Sequence, residues 1–433
     1  MTESKQDPRV VKLLELTGVK WERVPRRSDR VRLCSGSDAK LYELDDDERI
    51  QTLFGKREQI LKLIEPQTSV LSSKTGEFIP RECFFAETPQ DIYDALDEAG
   101  KKESEVTISQ IAVTESGIYS DNALNELMVN AVVQHLLTNS VTPHLLHVHQ
   151  LYYHPRDGAS MCMEKFDYDL DEFAGRKKTW WTLERMGAII FQALHALHVL
   201  QTVLQFKHHD LHDQNVALVR ITDDMIFRGQ HLKSATHFVY NVEGVTFYVP
   251  NVGYLVKLTD MGFASVTVGG RRMQRVDLDH FNDKPSTYGY WDAQFEGKRS
   301  YDTQVLLSKF ITPTFHSLCK KNRNMKQFME VLYFTALGAH GKNSPKQRPL
   351  VVNDEPAGVL LQKVFGPPQP SKKKNSGLSF VNPPPPPVPE AAPAPAAAAS
   401  TKEEGAVYTA LADFTTPNLQ EVAATYYKFF TLE

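Results

Sequence analysis

The stretch "KHHDLHDQNVALV", Lys207 to Val219, crowds three histidines and two aspartates together and follows them with an asparagine. Three chemistries could use such a run: a transition-metal site, a solvated polar loop, or a phosphoryl-transfer site. An aspartate five positions before an asparagine suits a loop that returns on itself. Asp210 can accept a proton from an attacking hydroxyl and orient it, while Asn215 can hold a metal ion against phosphates. The D-x4-N spacing alone is common, so its context decides. A long amphipathic helix precedes it, the apolar run "NVALV" follows, and "GYLVKLTDMGFAS" then delivers Asp260 at a strand end with Gly262 in the turn. That second carboxylate favours phosphoryl transfer over the bare loop. A transition-metal site at His208, His209 and His212 stays the minor reading, and no second ligand cluster has spacing suited to zinc beside the histidines of "HLLHVHQLYYH". His144, His147, His149 and His154 in "HLLHVHQLYYH" read as ordinary strand and loop histidines.

The elements that must position these groups are legible in outline. "VRLCSGSDAKLYEL" (31–44) reads as strand, glycine turn, strand, and "REQILKLIEP" (57–66) as a buried strand stopped by Pro66. Leu124, Leu127, Met128, Ala131, Val132 and Leu136 fall at helical spacing from about Asn122. "SMCMEKFDYDLDEF" reads as a strand running into an acidic turn. Met186, Ile189, Ile190, Ala193, Leu194, Leu197 and Leu204 line one face of a helix beginning near Leu183. "THFVYNVEGVTFYVP" predicts a hairpin turning at Glu243-Gly244. A loop-rich stretch to about Lys298 and a helix from Tyr301 follow. Residues 367–404, with "PPPPP" and "APAPAAAAS", predict a linker without core contacts. A final helix carries the apolar stripe Leu419, Val422, Ala423, Tyr426, Phe429 and Phe430.

At this point "HHDLHDQN" (208–215) resembles the catalytic loop of the protein-kinase-like superfamily, and "KLTDMG" (257–262) resembles its DFG segment. The resemblance implies ATP and Mg2+ as cofactors, Asp210 as catalytic base, and Asn215 and Asp260 as metal ligands. It also implies Lys62 in "ILKLI" as the catalytic lysine on the phosphates, paired with Glu126 of the helix near Asn122. Glu164 to Phe166 in "MCMEKFDYDL" should lie along the adenine edge, and Asp302 in "SYDTQVLLSKF" should brace the catalytic-loop backbone. Gly36 in "CSGSDAKLYEL" stands where a degenerate glycine-rich loop would cover the nucleotide. There are departures from the family pattern. His209 stands for the usual arginine, His212 for a common lysine and Met261 for phenylalanine, and there is no APE motif. "YVPNVGYLVKLTDMGFAS" is similar to kinases of large DNA viruses, which often carry a hairpin insertion before the DFG segment.

The resemblance implies an α+β, bilobal fold: a mainly β N-lobe (1–163) with an insertion near 67–120, and a mainly helical C-lobe (164–366) with a hairpin insertion near 221–254. The linker 367–404 and a terminal segment 405–433, packing back on the C-lobe, complete the expected organisation. The 433-residue length calls for more than one lobe, and a 41% hydrophobic content can supply their cores. A net charge of −4 gives no electrostatic argument for nucleic acid or an anionic membrane. Four scattered cysteines indicate neither a disulfide framework nor a zinc site, so a reducing compartment is expected: cytoplasmic, or the host cytoplasm or virion if viral. The polar start lacks the apolar core of a signal peptide. The leading expectation is a Ser/Thr protein kinase acting on a protein substrate. A phosphotransferase for small molecules of the aminoglycoside or choline type, and a scaffold without turnover, stand beside it. The proline run could engage a partner that binds polyproline.

Overall fold

The computed structural model describes residues 8–20, 32–35, 39–43, 50–52, 54–64, 69–71, 78–80, 111–113, 117–120, 122–154, 158–275, 300–309, 322–337, 356–367, 378–383 and 410–430. The architecture is α+β, built from several small, mostly antiparallel sheets and a set of helices. In chain order the first elements are α1 (Pro8–Thr17), β1 (Arg32–Ser35), β2 (Ala39–Glu43), β3 (Gln59–Ile64), β4 (Gly117–Ser120) and α2 (Asn122–Thr138). Then come β5 (Val148–His154), β6 (Gly158–Glu164), α3 (Leu170–Arg176) and α4 (Leu183–Leu204). The third group is β7 (Val216–Arg220), β8 (Ala235–Val242), β9 (Val245–Pro250), β10 (Tyr254–Leu258), β11 (Val266–Val268) and β12 (Arg271–Arg275). Helices α5 (Tyr301–Lys309), α6 (Arg323–Leu337) and α7 (Ala357–Phe365), strand β13 (Ala410–Asp413) and helix α8 (Leu419–Phe429) follow.

The largest sheet has the order β1-β2-β3-β6-β5, antiparallel throughout. Its centre, β3, alternates little because both of its faces are covered; only Leu63 is partly open. Helix α2 packs against this sheet with Leu124, Leu127, Met128, Val132 and Leu136 all inaccessible, the stripe read from the sequence.

Helix α4 is capped by Thr182, whose hydroxyl accepts the Arg185 amide at 3.2 Å, and it ends at Gln205 in the left-handed region. By length and composition alone it could cross a membrane. Its sides are instead packed nearly all round, including Gln192, His195 and His198. The single apolar face expected for it is thus too narrow, because α7, α8 and β10 press on it from several directions.

Below α4 runs the sheet of β7 and β10, which also takes in Tyr168–Asp169. The β8–β9 hairpin turns at Glu243 and Gly244, both at positive φ, as a tight two-residue connection demands, and the Asn241 carboxamide accepts the Gly244 amide at 3.0 Å. Among the strands that escape the sequence reading, β11 and β12 form a hairpin inside the stretch expected to be loop-rich. β12 pairs in parallel with β4, at the end of the expected insertion 67–120.

The linker expectation for 367–404 needs correction at its start. Phe380 is buried and donates its amide to the Phe365 carbonyl at 3.0 Å, and its ring stacks on Phe365 at 5.2 Å. Leu378 packs so closely over Gly187 that a Cβ there would collide with it. The apolar trio Leu378, Phe380 and Val381 is the physical reason, since proline neighbours do not stop such residues from filling a groove. Of the proline run 383–387 only Pro383 is described; residues 384–387 and the linker beyond them lie outside the described residues.

The terminal segment is more than a helix. β13 adds in parallel to the edge of β8, and Phe414 then enters the core. Its ring stacks on Phe238 at 4.5 Å and meets Tyr240, Phe227 and His144 edge-on. In α8, Tyr426 and Phe430 are buried, and Leu419, Val422 and Ala423 pack on the core; Phe429 stays about half exposed. Phe414→Ala should therefore cost about 3–5 kcal/mol of stability, the usual range for a large aromatic lost from a core that cannot collapse. Urea denaturation of the full chain checks this, and a loss under 1 kcal/mol would show that β13 docks only loosely.

Candidate active site

Strand β3 carries Lys62 into the interior between α2 and the end of β10. Its Nζ meets Glu126 Oε1 at 2.6 Å and Asp260 Oδ1 at 3.1 Å. Lys62 and Glu126 are almost wholly buried, whereas the Asp260 side chain is 46% exposed, so the cluster opens to solvent on the Asp260 side. Burial works against the charge on Lys62, but Asp260 and Glu126 outweigh it and hold the ammonium above its ordinary range. Burial pushes the Glu126 carboxyl up to about 7, with Lys62 pulling the other way. At Asp260 the surrounding protein pushes up and Lys62 pushes down more strongly, leaving the carboxyl below its usual value.

The loop after α4 is held from beneath. Asp302, buried at the start of α5, accepts the His208 and His209 amides at 2.8 Å each. His208 packs inward, its Nε2 against the Thr259 carbonyl at 2.9 Å. His209 takes a positive φ, and its Nε2 lies 3.0 Å from Ser265 Oγ. Burial lowers its pKa well below the imidazole range, with Arg272 adding to the effect, so the ring is neutral. Asn215 closes the loop: its Nδ2 donates to the Asp210 carbonyl at 2.8 Å, and its own carbonyl accepts the Thr259 amide at 3.2 Å. That bond puts Asn215 beside the residue preceding Asp260. The Asp210 carboxylate is partly open, with His212 Nε2 3.5 Å from Oδ2.

Lys62, Glu126, Asp260, Asn215 and Asp210 thus gather around the strand end of β10. Glu164 and Phe166 need separating. The Glu164 carboxylate faces inward, accepting the His147 amide at 2.8 Å and pairing with Lys257, both side chains wholly buried. It is a core ion pair and offers no carboxylate to a ligand. Phe166 sits half-buried just beyond β6, and its amide makes no backbone hydrogen bond among the described residues. Gly36 lies outside the described residues. Lys257 went unnoticed in the sequence, although a lysine inside "YLVKL" at the centre of a buried sheet was a signal of a paired charge.

The oxygens of Asp260 and the Asn215 carboxamide suit a hard cation such as Mg2+, which takes one or two protein ligands and completes its shell with phosphates and water. Among the described residues no group of three His, Cys, Asp or Glu side chains could hold a metal. The donor set therefore fits a metal shared with a phosphate ligand better than a closed protein site. Comparison with protein-family models and with curated proteins returns no match.

Proposed function

We propose that this chain transfers the terminal phosphoryl group of ATP to the hydroxyl of a protein Ser or Thr, on a bilobal kinase-like fold. The observation that supports it most is the triad of Lys62 with Glu126 and Asp260, opening beside a loop whose backbone is tied down by Asp302. A lysine held by two carboxylates is fixed in place yet keeps its third donor for a phosphate oxygen. The Phe166 amide is free to meet the adenine edge, a role the Glu164 carboxylate cannot share. Asp210 accepts a hydrogen bond from the acceptor hydroxyl and aims its oxygen at phosphorus. Little covalent help is needed, because the transition state is stabilised by position and charge. When bound, Mg2+ would be held by Asn215 and Asp260 and would neutralise phosphate charge.

The test is transfer from labelled ATP with Mg2+, to the chain itself and to a panel of proteins, aminoglycosides and choline. Asp210→Asn, nearly the same size, should reduce transfer about 10²–10⁴-fold, the usual worth of a positioned acid–base group. Label on small molecules alone would move the reading to a small-molecule phosphotransferase. No label on any acceptor, with ATP still bound, would make the chain a scaffold.

A further inference from the structure

Asn125 precedes Glu126 on α2 and is wholly buried. Its carboxamide nitrogen donates to two carbonyls just beyond Asp260: Gly262 at 3.3 Å and Ala264 at 3.0 Å. The opposite end of the same group, Oδ1, has no hydrogen-bond partner among the described residues. A buried amide with an orphaned oxygen is a poor choice for stability alone. The two N–H groups, however, reach a place where the backbone needs support. Asp260 has φ +61, a conformation side-chain-bearing residues adopt at a cost, and such strain persists only where the surroundings hold it. Within the turn the Ala264 amide donates to the Met261 carbonyl at 3.0 Å and the Gly262 amide to the Asp260 carboxylate, and neither bond ties the turn to helix α2.

Resting on the kinase reading, we propose that Asn125 is a positioning residue, fixing the Asp260–Ala264 turn to helix α2. Glu126 and Asp260 both reach Lys62, and Asn125 joins the helix that carries the first to the turn that follows the second. Helix and turn then move as one body, and the Asp260 carboxylate is presented at one fixed distance from Lys62. The chemistry selects asparagine. Aspartate has the shape without the donors, leucine has the volume without polarity, and serine has only one hydrogen to give.

The experiment uses the full chain with Asn125→Asp and Asn125→Leu, and Gln134→Met as the control. Gln134 is a buried amide farther along α2 that bonds Leu146 and Val148, remote from the turn. Two quantities are read: amide hydrogen exchange over Gly262–Ser265 without nucleotide, and the Mg2+ concentration at half-maximal ATP binding, followed by thermal shift. Both Asn125 variants should speed exchange in the turn at least tenfold and raise the Mg2+ midpoint at least fivefold. The control should lower the melting temperature without changing either. If the Asn125 variants only melt earlier, as the control does, the residue is structural and the inference is overturned. If the unaltered protein binds no ATP with Mg2+, the kinase reading falls and takes the inference with it.

Discussion

Lys62→Met should abolish most phosphoryl transfer while leaving the fold standing. The loss expected is about 10²–10³-fold, the range for removing one preorganised donor from a site of developing charge. The fold survives because the remaining groups can adapt. Burial already lifts Glu126 to about 7, and without Lys62 only the weaker pull of Arg275 opposes that push, so Glu126 takes a proton and stays buried as a neutral acid. Asp260, on the open side, turns to water. Methionine keeps nearly the volume of the lysine stem. Lys62→Arg should be nearly as inactive, since a planar guanidinium cannot sit in a slot cut for an ammonium between two carboxylates. Transfer assays beside thermal melts separate the two effects. Retention of more than a tenth of the activity by Lys62→Met would move the phosphate-pairing role to another lysine.

Acid should unfold this protein well above the pH at which carboxylates usually protonate. His144, His195 and His198 form a buried group with Tyr240, their neighbouring ring centroids 4.7–6.4 Å apart. His144 is satisfied as a neutral ring, donating from Nδ1 to the Val256 carbonyl at 2.8 Å with Nε2 on the Tyr240 hydroxyl at 3.0 Å. Burial lowers His144 to about 3 and His198 to about 4, and takes His195 well below its ordinary value. Depressed values in the folded state mean stability that is whole above the unfolded value near 6.5 and is lost as pH falls beneath it. Each pH unit below that point costs roughly 1.4 kcal/mol per histidine. At about pH 4.5 the three together cost roughly 8 kcal/mol, comparable to the whole stability of an ordinary domain. Glu126, raised to about 7, and Asp302 and Asp169, also raised by burial, work the other way and favour the folded state as they protonate, but His209 and His147 are depressed by burial as well and add to the three. Circular dichroism across an acid titration should give a midpoint between about pH 4 and 5. A midpoint below about pH 3 would mean the histidines are not buried neutral.

The groups gathered at the strand end of β10 could be picked out because the phosphoryl-transfer chemistry proposed for them would leave little choice of residue type or order. Asp210, Asn215 and Asp260 announce themselves by chemistry, and Lys62 and Glu126 by lying on a buried strand and on a helix buried nearly all round. Helices α2 and α4 and the β8–β9 hairpin follow from period and turn residues that local physics fixes. What stayed hidden depends on partners far away in sequence. β13 is four residues of weak pattern, and only the open edge of β8, well over a hundred residues earlier, makes it a strand. β12, "RRMQR", has charge in place of alternation, and its parallel pairing with β4 supplies what its composition lacks. Asn125 is one polar residue in a helix until the turn beyond Asp260 folds against it. Glu164 is expected with Phe166 along the adenine edge, and its carboxylate is turned inward by Lys257 and the His147 amide, neither of which its neighbours in sequence reveal.

The docking of Phe414 between β8 and the loop holding His144 also sets an order of events during synthesis. Phe238, Tyr240 and His144 emerge from the ribosome long before the residue that covers them. β8 waits for its parallel neighbour, Ala235 for Ala410, across a separation that makes closure slow by loop entropy. In that interval the nascent chain exposes an aromatic hollow beside an unpaired strand edge, the combination that invites association with other chains. The finished molecule hides this hazard completely, so its yield in a cell should depend on what shelters that hollow before residue 414 arrives.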